Sequence, residues 1–238
     1  MLSKLFAAFR PRQRAGLDAD AAQARYTEGL VHLRDGRVDT ARAAFEAAHR
    51  LLPQAPAPLR MLGFCGWFDG DIETARRDYD RAIAAALAEG DVAEAGVLRI
   101  NRLIDTLPQI AASAAQLGEE RLWFEGELDA LLAAPPRIDD PLQAIHRTVF
   151  YLGYQGQSDR DVNAKLARLF LRCAPSLGYV APHAIAPASK ESATGAAGVR
   201  PRIGFVSMNL NQHSVGAWYN HFVRRVVEAE RFDSVLFT

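Results

Sequence analysis

The residues best equipped for chemistry sit together in one short polar stretch: Asn209, Asn211, Gln212, His213 and Ser214, followed by Gly216. A strand-like run, Arg202-Ile203-Gly204-Phe205-Val206-Ser207, comes just before them, and an apolar-periodic helix begins just after. A loop between a strand and a helix N-terminus presents side-chain amides, an imidazole and free backbone N–H groups to the same space. Such a site favours anionic ligand groups and a neutral imidazole able to accept a proton. His213 is therefore the candidate catalytic residue, Asn209, Asn211, Ser214 and Gly216 are candidate substrate contacts, and Ser214 is expected to cap the helix. A second unusual string, Phe150-Tyr151-Leu152-Gly153-Tyr154-Gln155-Gly156, crowds aromatic rings and an amide together. It reads either as a sugar or peptide contact or as a helix end capped by glycine.

The elements that position the polar loop are two strands and a helix. Arg202–Ser207 reads as a strand of buried type, residues 217–230 as a helix with Trp218, Phe222, Val226 and Val227 on its apolar side, and Arg231–Phe237 as a second strand. Strand, helix, strand opens a doubly wound α/β domain, whose ligand crevice lies beyond the C-terminal ends of its strands. No G-x-G-x-x-G follows the first strand, so this is not a dinucleotide fingerprint.

Upstream, the chain repeats itself. Gly29 recurs as Gly63, Gly36 as Gly70, Ala41 as Ala75, Phe45 as Tyr79 and Ala48 as Ala82, each 34 residues on. The residue types suit paired antiparallel helices. Gly29 and Gly63 allow close approach, Gly36 and Gly70 end the first helix of each pair, and Phe45 and Tyr79 fill the space between layers. A divergent third unit spans Asp91 to Leu107 with Val97, Ile100, Leu103 and Ile104 at helical spacing. The expected binding groove is lined by Tyr26, Leu30, Arg34, Arg60, Phe64 and Trp67, although aromatics at such spacing also serve as core.

Between repeats and strands, residues 111–180 read as a helical connector. Its expected helices are Glu119–Leu132, one starting at Pro141 and running through Ile145, Val149 and Phe150, and one capped by Ser158. Residues 181–200, rich in Ala, Ser, Pro and Gly, read as a linker. Residues 1–17 read as a basic tail, with membrane-surface contact as the sharper alternative. The fold class expected is therefore mostly α: helical hairpins and connector, followed by the first β-α-β unit of a Rossmann-like lobe.

Composition limits the functions open to this chain. Hydrophobic residues are 49% and charged residues 24% of 238, which is globular composition. Lys plus Arg and Asp plus Glu are 28 each, so the basic excess that phosphate neutralisation requires is missing and nucleic acid is not the expected partner. No apolar run has membrane-spanning length, which excludes integral membrane association as the expectation. Cys65 and Cys173 form neither a metal-ligand spacing nor a disulfide framework, which suits a reducing, cytoplasmic setting without a metal.

The repeats, with Gly29, Ala41, Phe45, Ala48 and Pro53 and then Leu62, Gly63, Ala75, Tyr79 and Ala82, resemble the tetratricopeptide repeat. The second copy departs from the pattern by carrying Leu87 where the closing proline stands. Repeats and connector, then Arg202–Ser207, His213-Ser214-Val215-Gly216 and Arg231-Phe232-Asp233, resemble the bacterial O-linked N-acetylglucosamine transferase (SPINDLY-like) family. Tyr154-Gln155-Gly156, Ser158-Asp159-Arg160 and Tyr179-Val180-Ala181-Pro182-His183 are similar to that family's connector.

The resemblance implies a GT-B glycosyltransferase of two Rossmann-like lobes. It would pass a sugar from a UDP-linked or related donor to protein acceptors, without a metal or other cofactor. His213 matches the family's active-site histidine, and the repeats would bind a protein or peptide acceptor. The chain covers only the start of the first lobe, so the 238-residue protein is expected to transfer no sugar by itself. A regular asparagine ladder is lacking in the repeats, which puts that mode of acceptor capture in doubt. The competing expectation is a tetratricopeptide-type interaction module without catalysis.

Overall fold

The computed structural model describes residues 17–185, 200–207, 209–210 and 213–237. The expected basic tail apart from Leu17, which opens the first helix, most of the linker, Asn211 and Gln212 lie outside the described residues. The described chain is mostly helical with a small parallel two-stranded sheet, and it divides between Tyr179 and Val180 into two compact units.

The first unit opens with α1 (Leu17–Arg34), α2 (Val38–Leu51), α3 (Pro56–Phe68), α4 (Ile72–Ala88) and α5 (Val92–Asp105). Local chemistry sets the boundaries. Gly36, Gly70 and Gly90 take φ of +77°, +81° and +73°, a region that costs residues with a Cβ, and each ends a helix. The following N–H returns to the helix it leaves: Arg37 donates to His32 O, Asp71 to Gly66 O and Asp91 to Ala86 O, each at 2.9 Å. Asp71 and Asp91 then cap α4 and α5 by accepting from Thr74 N and Glu94 N, both at 3.0 Å.

The 34-residue spacing has a packing counterpart. A Cβ at Gly29 would stand 2.5 Å from Phe45 Cε1, and one at Gly63 would stand 2.8 Å from Tyr79 Cδ2 and 3.0 Å from the Ala75 carbonyl. Ala41, Ala48, Ala75 and Ala82 are fully buried where the paired helices cross. Small residues thus bring α1 onto α2 and α3 onto α4 closely enough for one aromatic ring to fill each gap.

The connector departs from its expected outline. Helix α6 (Ala114–Ala133) begins earlier than Glu119, because Ser113 Oγ accepts from Gln116 N at 3.1 Å and caps it there. The helix at Pro141 is a single turn, α7 (Pro141–Ala144), capped by Asp140; residues 145–149 run on without regular structure into a 3₁₀ turn, Phe150–Tyr154. Ser158 does not cap the next helix, α8 (Arg160–Cys173). Its carbonyl instead accepts from Arg121 Nη2 at 3.0 Å, while Arg121 Nη1 pairs with Asp159 at 2.6 Å. Tertiary demand for that buried guanidinium thus displaces the local cap.

Two apolar cores fill the unit. One joins Tyr26, Phe45, Met61, Phe64, Trp67, Tyr79 and their neighbours through α1–α5; the other joins Ile100, Leu103, Phe124, Leu128, Leu152, Leu166 and Leu169. Arg76 ties α4 to α6, its guanidinium 3.3 Å over the Trp123 ring and 2.5 Å from Glu120.

The second unit holds α9 (Pro182–Ile185), β1 (Arg202–Val206), α10 (Ser214–Glu228) and β2 (Asp233–Phe237). The strands pair in parallel, Arg202 opposite Asp233 and Val206 opposite Phe237. β1 is not buried as its apolar run suggested. Val206 is 78% exposed and Ile203 and Phe205 are only half-buried, because the described elements cover the sheet incompletely. Among the described residues no helix is long and apolar enough to cross a membrane.

Candidate functional site

In the second unit, β1 delivers the chain to Asn209 and α10 receives it at His213. Asn209 N donates to Ser207 Oγ at 3.1 Å, which turns the backbone away from the strand direction. Gly216 is buried in the first turn of α10. Ser214 is exposed and is not the cap. His213 holds that place, its Nδ1 accepting from Val215 N at 3.2 Å. The imidazole outcompetes the expected Ser214 hydroxyl because its own backbone is extended (φ −128°, ψ 155°), the geometry of a capping position, while Ser214 is already helical.

This contact has a chemical consequence. A ring nitrogen that accepts from a backbone N–H carries no proton, so a neutral His213 holds its proton on Nε2. The arrangement presents an exposed Nε2–H donor beside a helix N-terminus. Proton acceptance at Nε2 requires the proton to move first to Nδ1, at the cost of the cap. Asn211 lies outside the described residues. Among the described residues no group of three or more His, Cys, Asp or Glu could hold a metal ion.

In the first unit, the residues expected to line an open groove are mostly core. Tyr26, Leu30, Arg60, Phe64 and Trp67 are each at least nine-tenths buried; Arg34 alone is exposed, paired with Asp35. Tyr26 packs on Phe45 of α2, ring centroids 5.6 Å apart, whereas Arg60, Phe64 and Trp67 are covered by a segment of the chain itself. Residues 144–151 run across the faces of α3 and α5. Asn101 Nδ2 donates to the Ala144 carbonyl at 3.0 Å, and Arg60 Nη1 donates to His146 Nε2 at 3.4 Å. The Arg147 guanidinium stacks 3.5 Å over Trp67, and the Tyr151 ring lies 5.9 Å from the same indole. Trp67 Nε1 donates to Leu107 O at 2.7 Å, which satisfies the indole once it is buried.

Beneath the segment is a buried polar cluster. Tyr79 Oη donates to Asp105 Oδ2 at 2.6 Å, and Arg147 Nε stands 3.9 Å from Asp105 Oδ1. Burial raises Asp105 above the usual carboxylate range, against the pull of Arg147. Burial, with the Asp105 charge, raises the Tyr79 phenol well above its ordinary value. Glu94 is also raised by burial, and the Arg60 charge opposes this.

Sequence reasoning missed Asn101, Asp105, His146 and Arg147. Two signals pointed to them. Asn101 and Asp105 interrupt an apolar helix face at i and i+4, and the β-branched Ile145, Thr148 and Val149 favour extended backbone over helix.

The Phe150–Gln155 string forms an aromatic cluster, with Phe150 5.3 Å and Tyr151 6.4 Å from Tyr154. Tyr151, Tyr154 and Gln155 also wall a cleft of about 430 Å³ against Pro108, Ile110 and Leu117.

No family model, no curated protein and no solved structure matches this chain.

Proposed function

We propose that residues 18–110 are a tetratricopeptide-repeat array and that residues 201–238 begin a Rossmann-like lobe of a GT-B protein glycosyltransferase, similar to the O-linked N-acetylglucosamine transferases. The reaction passes a sugar from a UDP-linked donor to a protein acceptor. One observation carries this reading: the polar loop with His213 leaves the C-terminal end of a parallel strand and enters a helix N-terminus. That is where α/β folds bind anionic ligands. The paired glycine–aromatic contacts 34 residues apart support the repeat assignment. His213 acts through Nε2, either donating to a donor oxygen that gains charge or, with its proton shifted to Nδ1, accepting the acceptor's proton.

The competing reading, an interaction module without catalysis, is favoured by the helical unit having two buried apolar cores of its own. One assay separates the two. The intact gene product is incubated with UDP-sugars labelled in the sugar and with protein acceptors. The enzyme reading expects label on protein and a loss of about 100-fold or more in turnover for His213→Ala. Absence of transfer from every nucleotide sugar overturns it in favour of the module. Undiminished turnover in His213→Ala removes that residue from the site.

A further inference from the structure

The segment across α3 and α5 is bound as a peptide would be. We infer that this face is a binding site for an extended, arginine-bearing protein segment, and that residues 144–149 are its resident occupant, displaceable by a segment of the same chemistry. Asn101 reads a main-chain carbonyl, that of Ala144 where the chain leaves α7, a contact that any backbone with a free carbonyl offers. Specificity comes from one side chain: Arg147 is taken up between the Trp67 face and the Asp105 carboxylate.

Charge complementarity points the same way. Without the segment, the buried Asp105 carboxylate of this face has no ion-pair partner within 4 Å among the described residues. One cation balances it, and Arg147 supplies that cation. A neutral or acidic segment leaves the buried Asp105 with the Tyr79 hydroxyl but without a counter-charge.

The resident is imperfectly held. The Arg147–Asp105 ion pair is long, at 3.9 Å, and Arg147 Nη1 is buried without a hydrogen-bond partner among the described residues. A buried donor left unpaired is costly, so a competitor that satisfies it gains what the resident forgoes. Residues 145–149 also contribute no regular secondary structure, so their release breaks no sheet and costs at most the single turn of α7, which Ile145 N closes on Pro141 O at 3.1 Å.

The inference deepens the reading of the helical hairpins as a binding array, but it does not depend on sugar transfer, which the test leaves out. A fluorescein-labelled peptide with the sequence of residues 139–152 is titrated by anisotropy against two forms of the full 238-residue chain. These are the natural sequence and a variant with residues 144–149 replaced by alternating Gly and Ser. A tethered segment competes at an effective concentration of about millimolar. The replaced variant is therefore expected to bind the peptide at least tenfold more tightly than the natural chain. The same peptide carrying Arg147→Gln is expected to bind the variant at least tenfold more weakly. If the replacement does not fold, as judged by its circular dichroism and melting transition, the titration on Arg147→Ala decides by the same criterion. Failure of the labelled peptide to bind the folded variant, or equal binding of the Arg and Gln peptides, overturns the proposal. An intact gene product that binds the peptide yet transfers no sugar leaves it standing and removes only the enzyme reading.

Discussion

Gly63→Ala isolates the close approach on which the second helical hairpin depends. Two effects of opposite sign act on the substitution. Within an exposed helix interior, Gly→Ala stabilises by about 1 kcal/mol through helix propensity. At Gly63 the added methyl would lie 2.8 Å from Tyr79 Cδ2 and 3.0 Å from the Ala75 carbonyl oxygen, one contact a fully buried ring and the other backbone. Neither neighbour can swing away, so overpacking costs about 1–3 kcal/mol. The net change is therefore between neutral and about 2 kcal/mol destabilising.

Gly126→Ala is the control. Gly126 lies in the middle of α6 with nothing within 4 Å of an added Cβ, so only the favourable propensity effect operates. Urea unfolding of both variants, followed by helical circular dichroism, should put Gly63→Ala about 1–3 kcal/mol below Gly126→Ala, with unchanged slopes. Equal stabilisation of the two would show that α3 does not approach α4 through Gly63, and the packing described for the hairpins would fall with it.

Tyr79→Phe keeps the ring but leaves Asp105 Oδ2 without its donor, and should cost about 1–3 kcal/mol at pH 8. Because burial raises the Asp105 pKa, its contribution to stability is present at low pH and lost as pH rises through the folded value. The Tyr79 hydrogen bond favours the ionised carboxylate, so the Tyr79→Phe deficit should shrink as acidification protonates Asp105, and urea titrations showing it constant or growing would refute the assigned hydrogen bond. Burial raises the Cys65 and Cys173 thiols to about 12 and about 11. Ellman's reagent at pH 8 should label neither in the native protein and both after denaturation; rapid native labelling would refute their burial. The same shifts mean that stability falls as pH rises above about 9, where unfolded thiols ionise and folded ones do not.

Much of the local structure was legible in residue types. Gly36 and Gly70 mark turns because a left-handed φ excludes most other residues, and Asp140-Pro141 marks a helix start because a cap and a preset φ lie side by side. Those signals act over four residues or fewer. The run from Ile145 to Val149 reads as helix in sequence but forms none, because its conformation is set by α3 and α5, far away in sequence. Its β-branched residues yield to no local hydrogen-bonding ladder once Asn101 and Trp67 engage it.

The polar loop divides in the same way. Its place between a strand and a helix follows from the change of period at Ser207 and Ala217, which sequence alone displays. Which residue caps that helix does not, since Ser214 and His213 are neighbours of similar hydrogen-bonding capacity. Only the extended backbone at His213 assigns the role, and with it the ring nitrogen left outside the cap.

Sequence by itself determined where the glycine-ended helices of the hairpins stop, where small residues recur and where polar side chains collect, because each depends on neighbours along the chain. Tertiary structure decided which faces are open. Arg60, Phe64 and Trp67 have the same side chains whether they line a groove or fill a core, and the choice belongs to residues 144–151 lying across them. Burial is a property of pairs of surfaces, and one chain segment read in isolation carries only one of the two.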